Sequence, residues 1–263
     1  MTNEFDKLAA LLTKAIGQSK RLLKQFKIAP RTKLNKRFAL IVLNEIIRKS
    51  ESVEAMARAA AFSGINIVTR AAFENHMDLL NLFKYKDDYP NYMIYASFNQ
   101  QRSFLRPVAT AEVDSEFVNS FEDGAKRTAG QSPKEMLVWT RKQMAEIEDG
   151  LPDTFKDRNE GVITRDIFKF QLADKMSDYN IGYRHLSSSA HGRLSAMLEG
   201  VMDGEDIQWP PTDPINRPLV AIDCQCAIII GSSGLMAKKF NKPDAPFKAL
   251  AKEKQKIVDD YNC

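Results

Sequence analysis

Apolar residues recur three, four or seven positions apart over most of this chain. Phe5, Leu8, Leu12, Ile16, Leu23 and Phe26 form one such stripe, which predicts an amphipathic helix of about six turns. Pro30 closes it. Leu34, Phe38, Ile41, Val42, Ile46 and Ile47 predict a second helix. Ser50-Glu-Ser-Val-Glu54 then reads as a capping signal, with Ser50 or Ser52 as the cap of an alanine-rich helix that runs to Phe62. Ser63-Gly64 breaks or thins that helix. Ile67 to Lys84 has a strong helical pattern, and Pro90 opens another helix through Tyr92, Tyr95, Phe98 and Phe104 to Pro107.

The middle of the chain is less periodic. Residues 108–131 are polar, with Gly124 and Gly130, and predict an irregular insertion containing at most a short helix. Ser132-Pro-Lys-Glu135 is a capping box with proline at the first helical position, and it starts a helix to about Glu148. Gly150 to Gly161 is a polar connection. Thr164 caps a short helix over Arg165–Ala173, and Asp178 caps a helix that carries Arg184 and His191. Gln208-Trp-Pro-Pro-Thr-Asp-Pro214 is a rigid crossing loop, followed by helices over about 215–239 and 244–261. No alternating segment argues for a sheet, and no internal repeat or glycine-rich phosphate loop is present. The pattern therefore predicts an all-α chain organised as a single bundle-like domain over 1–263. Its parts are an N-terminal helix in 1–30, a core in 31–200 and C-terminal helices in 215–263.

Composition narrows this only a little. The 263 residues are 44% hydrophobic and 27% charged, as in an ordinary soluble globular protein, and are enough to bury a sizeable core. The formal net charge is +4, which permits an anionic partner without demanding one. The basic residues are unevenly spread, with Lys14, Lys20, Arg21, Lys24, Lys27, Arg31, Lys33, Lys36 and Arg37 close together. This run is either the solvated face of two helices and their connection, or a phosphate-contacting patch centred on Lys20, Arg21, Lys24, Lys27 and Arg31. Three cysteines, Cys224, Cys226 and Cys263, argue against a disulfide framework and fit a reducing cytoplasm. Cys224 and Cys226 read as small residues packed along an apolar helix, without a second pair at zinc spacing, so no metal or cofactor is expected. The acidic N-terminus is unlike a signal peptide. Leu219 to Ala237 is the most apolar stretch, but it holds Asp223, Gln225, Ser232 and Ser233 and reads as a buried helix rather than a membrane span.

Chemistry concentrates in Arg184-His-Leu-Ser-Ser-Ser-Ala-His191, which contains two of the three histidines. Helical geometry, at about 100° per residue, returns Arg184 and His191 to nearly the same face, about 10 Å apart along the axis. Arginine holds a phosphate by its fork of donors, and histidine moves protons near neutral pH. Arg70 and Glu74 also share a face, either as an ion pair fixing helix register or as an anion clamp with its holding group. Arg70 and His76 do not, because six positions leave them about 120° apart, so His76 reads as an ordinary surface or interface histidine. Tyr183, Ser187 and His191 form either a polar seam, in which Tyr183 bonds a carboxylate and Ser187 its own helix, or part of a site.

Two resemblances bear on these residues. The arginine, the polar residue His185 and the histidine after six intervening positions resemble the signature of the HEPN superfamily, all-helical proteins that include metal-independent ribonucleases of toxin and phage-defence systems. Arg70-Ala-Ala-Phe-Glu74, the apolar Leu79-Leu80-Asn-Leu-Phe83, and Tyr183-x-x-x-Ser187-x-x-x-His191-Gly192 resemble a bacterial helical family of unknown function over roughly residues 30–200. The first resemblance implies an endoribonuclease in which Arg184 and His191 act on an RNA phosphate at a homodimer interface and leave a 2′,3′-cyclic phosphate. Arg70, Glu74, Tyr183, His185 and Ser187 would then support that site. The alternative expectation is a non-catalytic helical binding module, or a scaffold in which the same residues are core clamps. No membrane partner is expected.

Overall fold

The computed structural model describes residues 3–29, 31–110, 119–120, 130–155, 165–178, 180, 183, 186, 202–203, 206–207 and 216–261. Over these residues the chain is all-α. In chain order the helices are α1 (Asn3–Lys24), α2 (Leu34–Arg58), α3 (Ile65–Tyr85), α4 (Asp88–Ala109), α5 (Pro133–Glu148), α6 (Arg165–Leu172), the single turn α7 (Met176–Asp178), α8 (Asn216–Lys239) and α9 (Ala245–Tyr261). A 3-10 turn, Phe62–Gly64, leads into α3. Two antiparallel two-residue strands, Met202–Asp203 and Asp206–Ile207, precede α8 and are the one departure from helix that the periodicity did not anticipate. The chain divides into two compact units, one of Met1–Lys84 with Ile163–Cys263 and the other of Tyr85–Val162.

In the first unit α8 is the central helix and packs on α1, α2 and α9. It buries Ile222, Cys226, Ile229 and Met236, against a core that includes Leu11, Leu12 and Ala15 of α1 and Leu43 and Ile46 of α2. Pro218–Lys239 is the one stretch, among the described residues, long and apolar enough to cross a membrane by length and composition, and 61% of its most apolar window is buried inside the protein. Its polar residues are spent on three different neighbours. Ser233 shares a 2.6 Å hydrogen bond with Ser19 of α1, the Gln225 amide donates to Ser50 of α2 at 2.7 Å, and Ser232 lies 2.8 Å from His76 Nδ1 of α3. Buried polar groups need such partners, and these contacts fix the register of α8. Cys224 and Cys226 are packed here as expected: burial pushes the Cys224 thiol up to about 11 and raises that of Cys226 as well.

Several boundaries differ from the expected ones, each for a local reason. α2 runs unbroken through Ser50–Glu54, because neither serine caps. Ser50 Oγ donates to the Ile46 carbonyl at 2.8 Å and Ser52 Oγ to that of Arg48 at 3.1 Å, so both bond back into the preceding turn. α4 continues past Pro107 to Ala109, so residues 108–110 belong to the end of that helix rather than to the irregular insertion. Of the rest of that insertion, 119–120 are helical, 130–131 lead into α5, and the remainder lies outside the described residues. The capping box of α5 forms as expected. Ser132 Oγ accepts from the Glu135 amide, and the Glu135 carboxylate accepts from the Ser132 amide at 2.7 Å. In the second unit α4 and α5 pack side by side, and Phe98 meets Trp139 edge-on at 5.4 Å. The expected polar connection after Gly150 is anchored at its start. Leu151 and Phe155 are buried, and Phe155 packs on Tyr85, Tyr89 and Tyr92 at 5.2–6.2 Å between ring centres.

Candidate functional site

Helix α3 positions the site. It buries Ile65, Ala72, Met77, Leu79 and Leu82. A polar stripe, Arg70, Glu74, Asp78, Asn81 and Lys84, runs down the helix at spacings of three or four, which keeps the five side chains on one broad face. Opposite the upper part of the stripe stands Tyr183. Asn180 and Tyr183 lie in π-helical backbone, and Leu186 in α-helical backbone. Wide helical turns of this kind recur at functional positions.

The Tyr183 hydroxyl joins the carboxylate expected of it, Glu74, to Arg70. It donates to Glu74 Oε1 at 2.8 Å and accepts from Arg70 Nε at 2.9 Å, while Arg70 and Glu74 also approach each other directly at 3.3 Å. The Arg70 guanidinium lies 4.9 Å from the centre of the Tyr183 ring, adding a cation–π contact to the hydrogen bond. The ring is buried on Phe170 at 5.0 Å, and Phe170 in turn meets Phe73 edge-on. Phe170, Met77 and Tyr183 therefore form the apolar floor of the cluster. The side chains of Arg70 and Glu74 remain 16% and 25% exposed.

Below this cluster the stripe is fastened to α6 and to the turn that follows it. Asp78 and Lys169 of α6 pair at 2.7 Å, at 8% and 7% side-chain exposure. The Asn81 amide donates to the Lys169 carbonyl at 3.0 Å. The Lys84 ammonium donates to the Leu172 carbonyl at 2.7 Å and to Asp174 at 2.6 Å. Asp174 is in the left-handed conformation, and the following Lys175 amide bonds back to the Phe170 carbonyl at 2.8 Å, closing α6 with a six-to-one C-cap. Asp78, Asn81, Lys84 and Lys169 were not among the expected site residues. The signal was present as polar residues at helical spacing on an otherwise apolar helix, continuing the Arg70–Glu74 face.

His76, expected as an ordinary surface or interface histidine, is not at the surface. It lies partly buried between α3 and α8, bonded to Ser232, with Gly231 leaving room beside its ring. Burial, helped by the nearby Lys175 and opposed by Asp178, lowers its pKa to about 4, so the imidazole is neutral at physiological pH. Arg184, His185, Ser187 and His191 lie outside the described residues. Among the described residues no group of three or more His, Cys, Asp and Glu side chains could hold a metal ion.

The basic run divides. Lys20 pairs with Glu51 and Lys14 with Glu253. Arg21, Lys24, Lys27 and Arg31 are exposed and have no ion-pair partner among the described residues. Aromatic rings interleave with cations at this end of the unit. Phe240 meets Phe26 at 5.4 Å and Phe83 at 5.8 Å. Lys36 lies over Phe240 at 5.5 Å, Lys242 over Phe26 at 5.9 Å and Lys239 over Phe83 at 5.8 Å. Asn241, in the left-handed conformation, turns the chain after α8 and brings Lys242 back to Phe26. Phe26, Lys36, Phe83, Lys239, Phe240 and Lys242 were not among the expected binding residues. Lys24-Gln-Phe26-Lys27 and Lys238-Lys-Phe-Asn-Lys242, two similar basic-aromatic strings, were the available signal.

Comparison with known families adds one finding. Residues 36–208 match the model of a family of unknown function, DUF5677, and the chain belongs to that family. The matched segment contains Arg70, Glu74, Tyr183 and the Arg184–His191 run, whereas α1, α8 and α9 lie outside it. No curated protein and no solved structure matches the chain.

Proposed function

We propose that this DUF5677 protein is a metal-independent endoribonuclease of the HEPN type, acting through Arg184 and His191. The observation that supports the reading is the Tyr183 hydroxyl bridging Arg70 and Glu74, since Tyr183 immediately precedes Arg184 in the chain. That bridge fixes the start of the motif segment against α3. In the proposed step the RNA 2′-oxygen attacks the adjacent phosphorus and loses its proton to a neutral imidazole. The P–O5′ bond breaks, the leaving 5′-oxygen takes a proton, and the products carry 2′,3′-cyclic phosphate and 5′-hydroxyl ends. Arg184 stabilises the charge developing on the phosphoryl oxygens. A single histidine serves poorly as both base and acid at once, so the site takes His191 from each of two copies in a homodimer. Arg70, Glu74 and Tyr183 position the motif segment, with His185 and Ser187 orienting the RNA chain. Arg21, Lys24, Lys27 and Arg31 contribute phosphate contacts. The reading fits a cytoplasmic toxin or phage-defence protein.

The test is cleavage of single-stranded RNA by purified protein in EDTA. His191→Ala abolishes cleavage, and Arg184→Ala lowers it by about 100-fold, the usual scale for losing a general acid–base or charge-stabilising group. Both variants keep the parent circular dichroism. Sedimentation as a monomer at tens of micromolar protein would remove the composite site. A second reading, a binding module without catalysis, is favoured by the rings of Phe26, Phe83 and Phe240 set among lysines, which suit the stacked bases and phosphates of single-stranded nucleic acid. Tight RNA binding with no cleavage by the parent protein selects it.

A further inference from the structure

The second unit carries a cationic feature that none of this uses. Arg102 and Arg106 of α4 and Arg141 of α5 line one open groove of about 440 Å³, together with Ser103 and Pro107. Arg102 and Arg106 are one helical turn apart on α4, where like charges repel. Arg141 is brought to them from the neighbouring helix. None of the three guanidinium groups has a hydrogen-bond or ion-pair partner among the described residues. Two acids of α5 are already engaged: Glu135 caps that helix, and Glu146 takes Lys142 and Gln143. Three permanent cations left facing one concavity is an arrangement that an anion completes. Guanidinium forks match the oxygens of a phosphate, and a phosphate monoester, with close to two negative charges, balances the cluster better than a singly charged diester or carboxylate. The groove is larger than a phosphate ion requires and falls in the size range of small-ligand sites. Because Pro107 has no amide proton, the Ser103 carbonyl lacks its usual helical donor and supplies an acceptor at the same place.

We infer that the Arg102–Arg106–Arg141 groove is a binding site for a phosphate monoester borne by a nucleotide. The phosphate sits in the guanidinium forks, and a sugar hydroxyl reaches the Ser103 side of the groove. The same chemistry is offered by a free nucleoside 5′-monophosphate and by the 5′-phosphorylated end of an RNA strand. The inference does not depend on the ribonuclease reading, because it concerns binding alone.

Calorimetric titration of the full-length protein with adenosine 5′-monophosphate, and with one short 2′-O-methyl oligoribonucleotide, which lacks the attacking 2′-hydroxyl and stays uncut, in 5′-phosphorylated and 5′-hydroxyl forms, tests it. One of two results is expected. Either the 5′-phosphorylated oligomer binds at least about tenfold more tightly than its 5′-hydroxyl twin, or the mononucleotide binds while the oligomers do not differ, which assigns the site to free nucleotides. Inorganic phosphate competes in both cases. Arg141→Ala and the Arg102→Ala/Arg106→Ala double variant each erase the effect with unchanged circular dichroism. Arg141→Lys, which keeps the charge but not the fork, restores it only in part. Equal binding of the two oligomers together with no binding of the mononucleotide overturns the inference. So does a phosphate effect that survives both alanine variants.

Discussion

Two of the ion pairs on one face of helix α3 differ in how they are finished. Asp78–Lys169 is shut in, with both side chains below a tenth exposed and Asn81 fastening the backbone that carries the lysine. Arg70–Glu74 stands about one turn towards the helix N-terminus, is two to three times more exposed, and is bridged by a tyrosine hydroxyl instead of being closed by backbone. Desolvating two charges costs more than their attraction returns unless the geometry is good, so a sealed pair mainly fixes which arrangement of α3 and α6 is allowed. A pair that keeps contact with solvent carries less of that penalty and leaves charged groups within reach of a ligand. The lower pair is accordingly a structural fastening. The upper cluster keeps more contact with solvent.

The sharpest way to break this comparison is to remove one partner from the sealed pair. Lys169→Met leaves the Asp78 carboxylate in the interior without its cation and should destabilise the protein by about 3–5 kcal/mol in urea denaturation. The double change Lys169→Met with Asp78→Leu should recover most of that loss, because the desolvation cost disappears with both charges. A single variant that loses under about 1 kcal/mol would mean the pair is more solvated than its burial indicates, and the contrast with Arg70–Glu74 would collapse.

His76 adds a further polar contact to the same helix, pointing instead at α8, and it makes the stability of the unit depend on pH. An ordinary imidazole titrates at 6.5, and that of His76 in the folded protein at about 4. The unfolded chain therefore takes up its proton first. The stabilisation is fully present above about pH 6.5 and is lost as the pH falls towards 4, by at most about 3 kcal/mol. His76→Gln, which keeps a hydrogen-bonding side chain for Ser232 but cannot titrate, should flatten the stability profile across that window. An unchanged slope between pH 6.5 and 4 would show that other groups account for it.

The helices were legible because each buries a stripe at helical spacing, and the Ser132 capping box marks its boundary by local chemistry alone. Legibility failed where tertiary partners decide. Ser50 looked like a cap in sequence, but Gln225 of a distant helix gives it a reason to stay buried within α2. The side chain of His76 was judged from its offset to Arg70, with no means of knowing that Ser232 would meet it. The Glu74–Tyr183 contact could be anticipated because a tyrosine and a carboxylate on apolar helices both need partners. The Asp78–Lys169 pair could not, since nothing in the short Arg165–Leu172 stretch identifies which of its charges turns inward. The Arg102, Arg106 and Arg141 groove depends on two helices packing side by side, a relation that one-dimensional spacing does not contain.

The smallest expected effect on stability is also the one that separates the two readings of the upper cluster. Tyr183→Phe deletes the bridging hydroxyl but keeps the ring on Phe170 and under the Arg70 guanidinium, and Arg70 and Glu74 still face each other at 3.3 Å. The loss should be about 1 kcal/mol, the usual net worth of a hydrogen bond whose partners retain another contact. If the cluster positions the Arg184–His191 segment for catalysis, RNA cleavage should fall by more than that stability change explains, by about tenfold or more, with RNA binding little altered. Such a split between turnover and binding is something a mere core clamp would not produce. A loss approaching that of Lys169→Met, with cleavage and binding changing only in step with the folded fraction, would place Arg70, Glu74 and Tyr183 with the sealed pair as fastenings of the fold. The functional weight would then fall on the cationic surfaces alone.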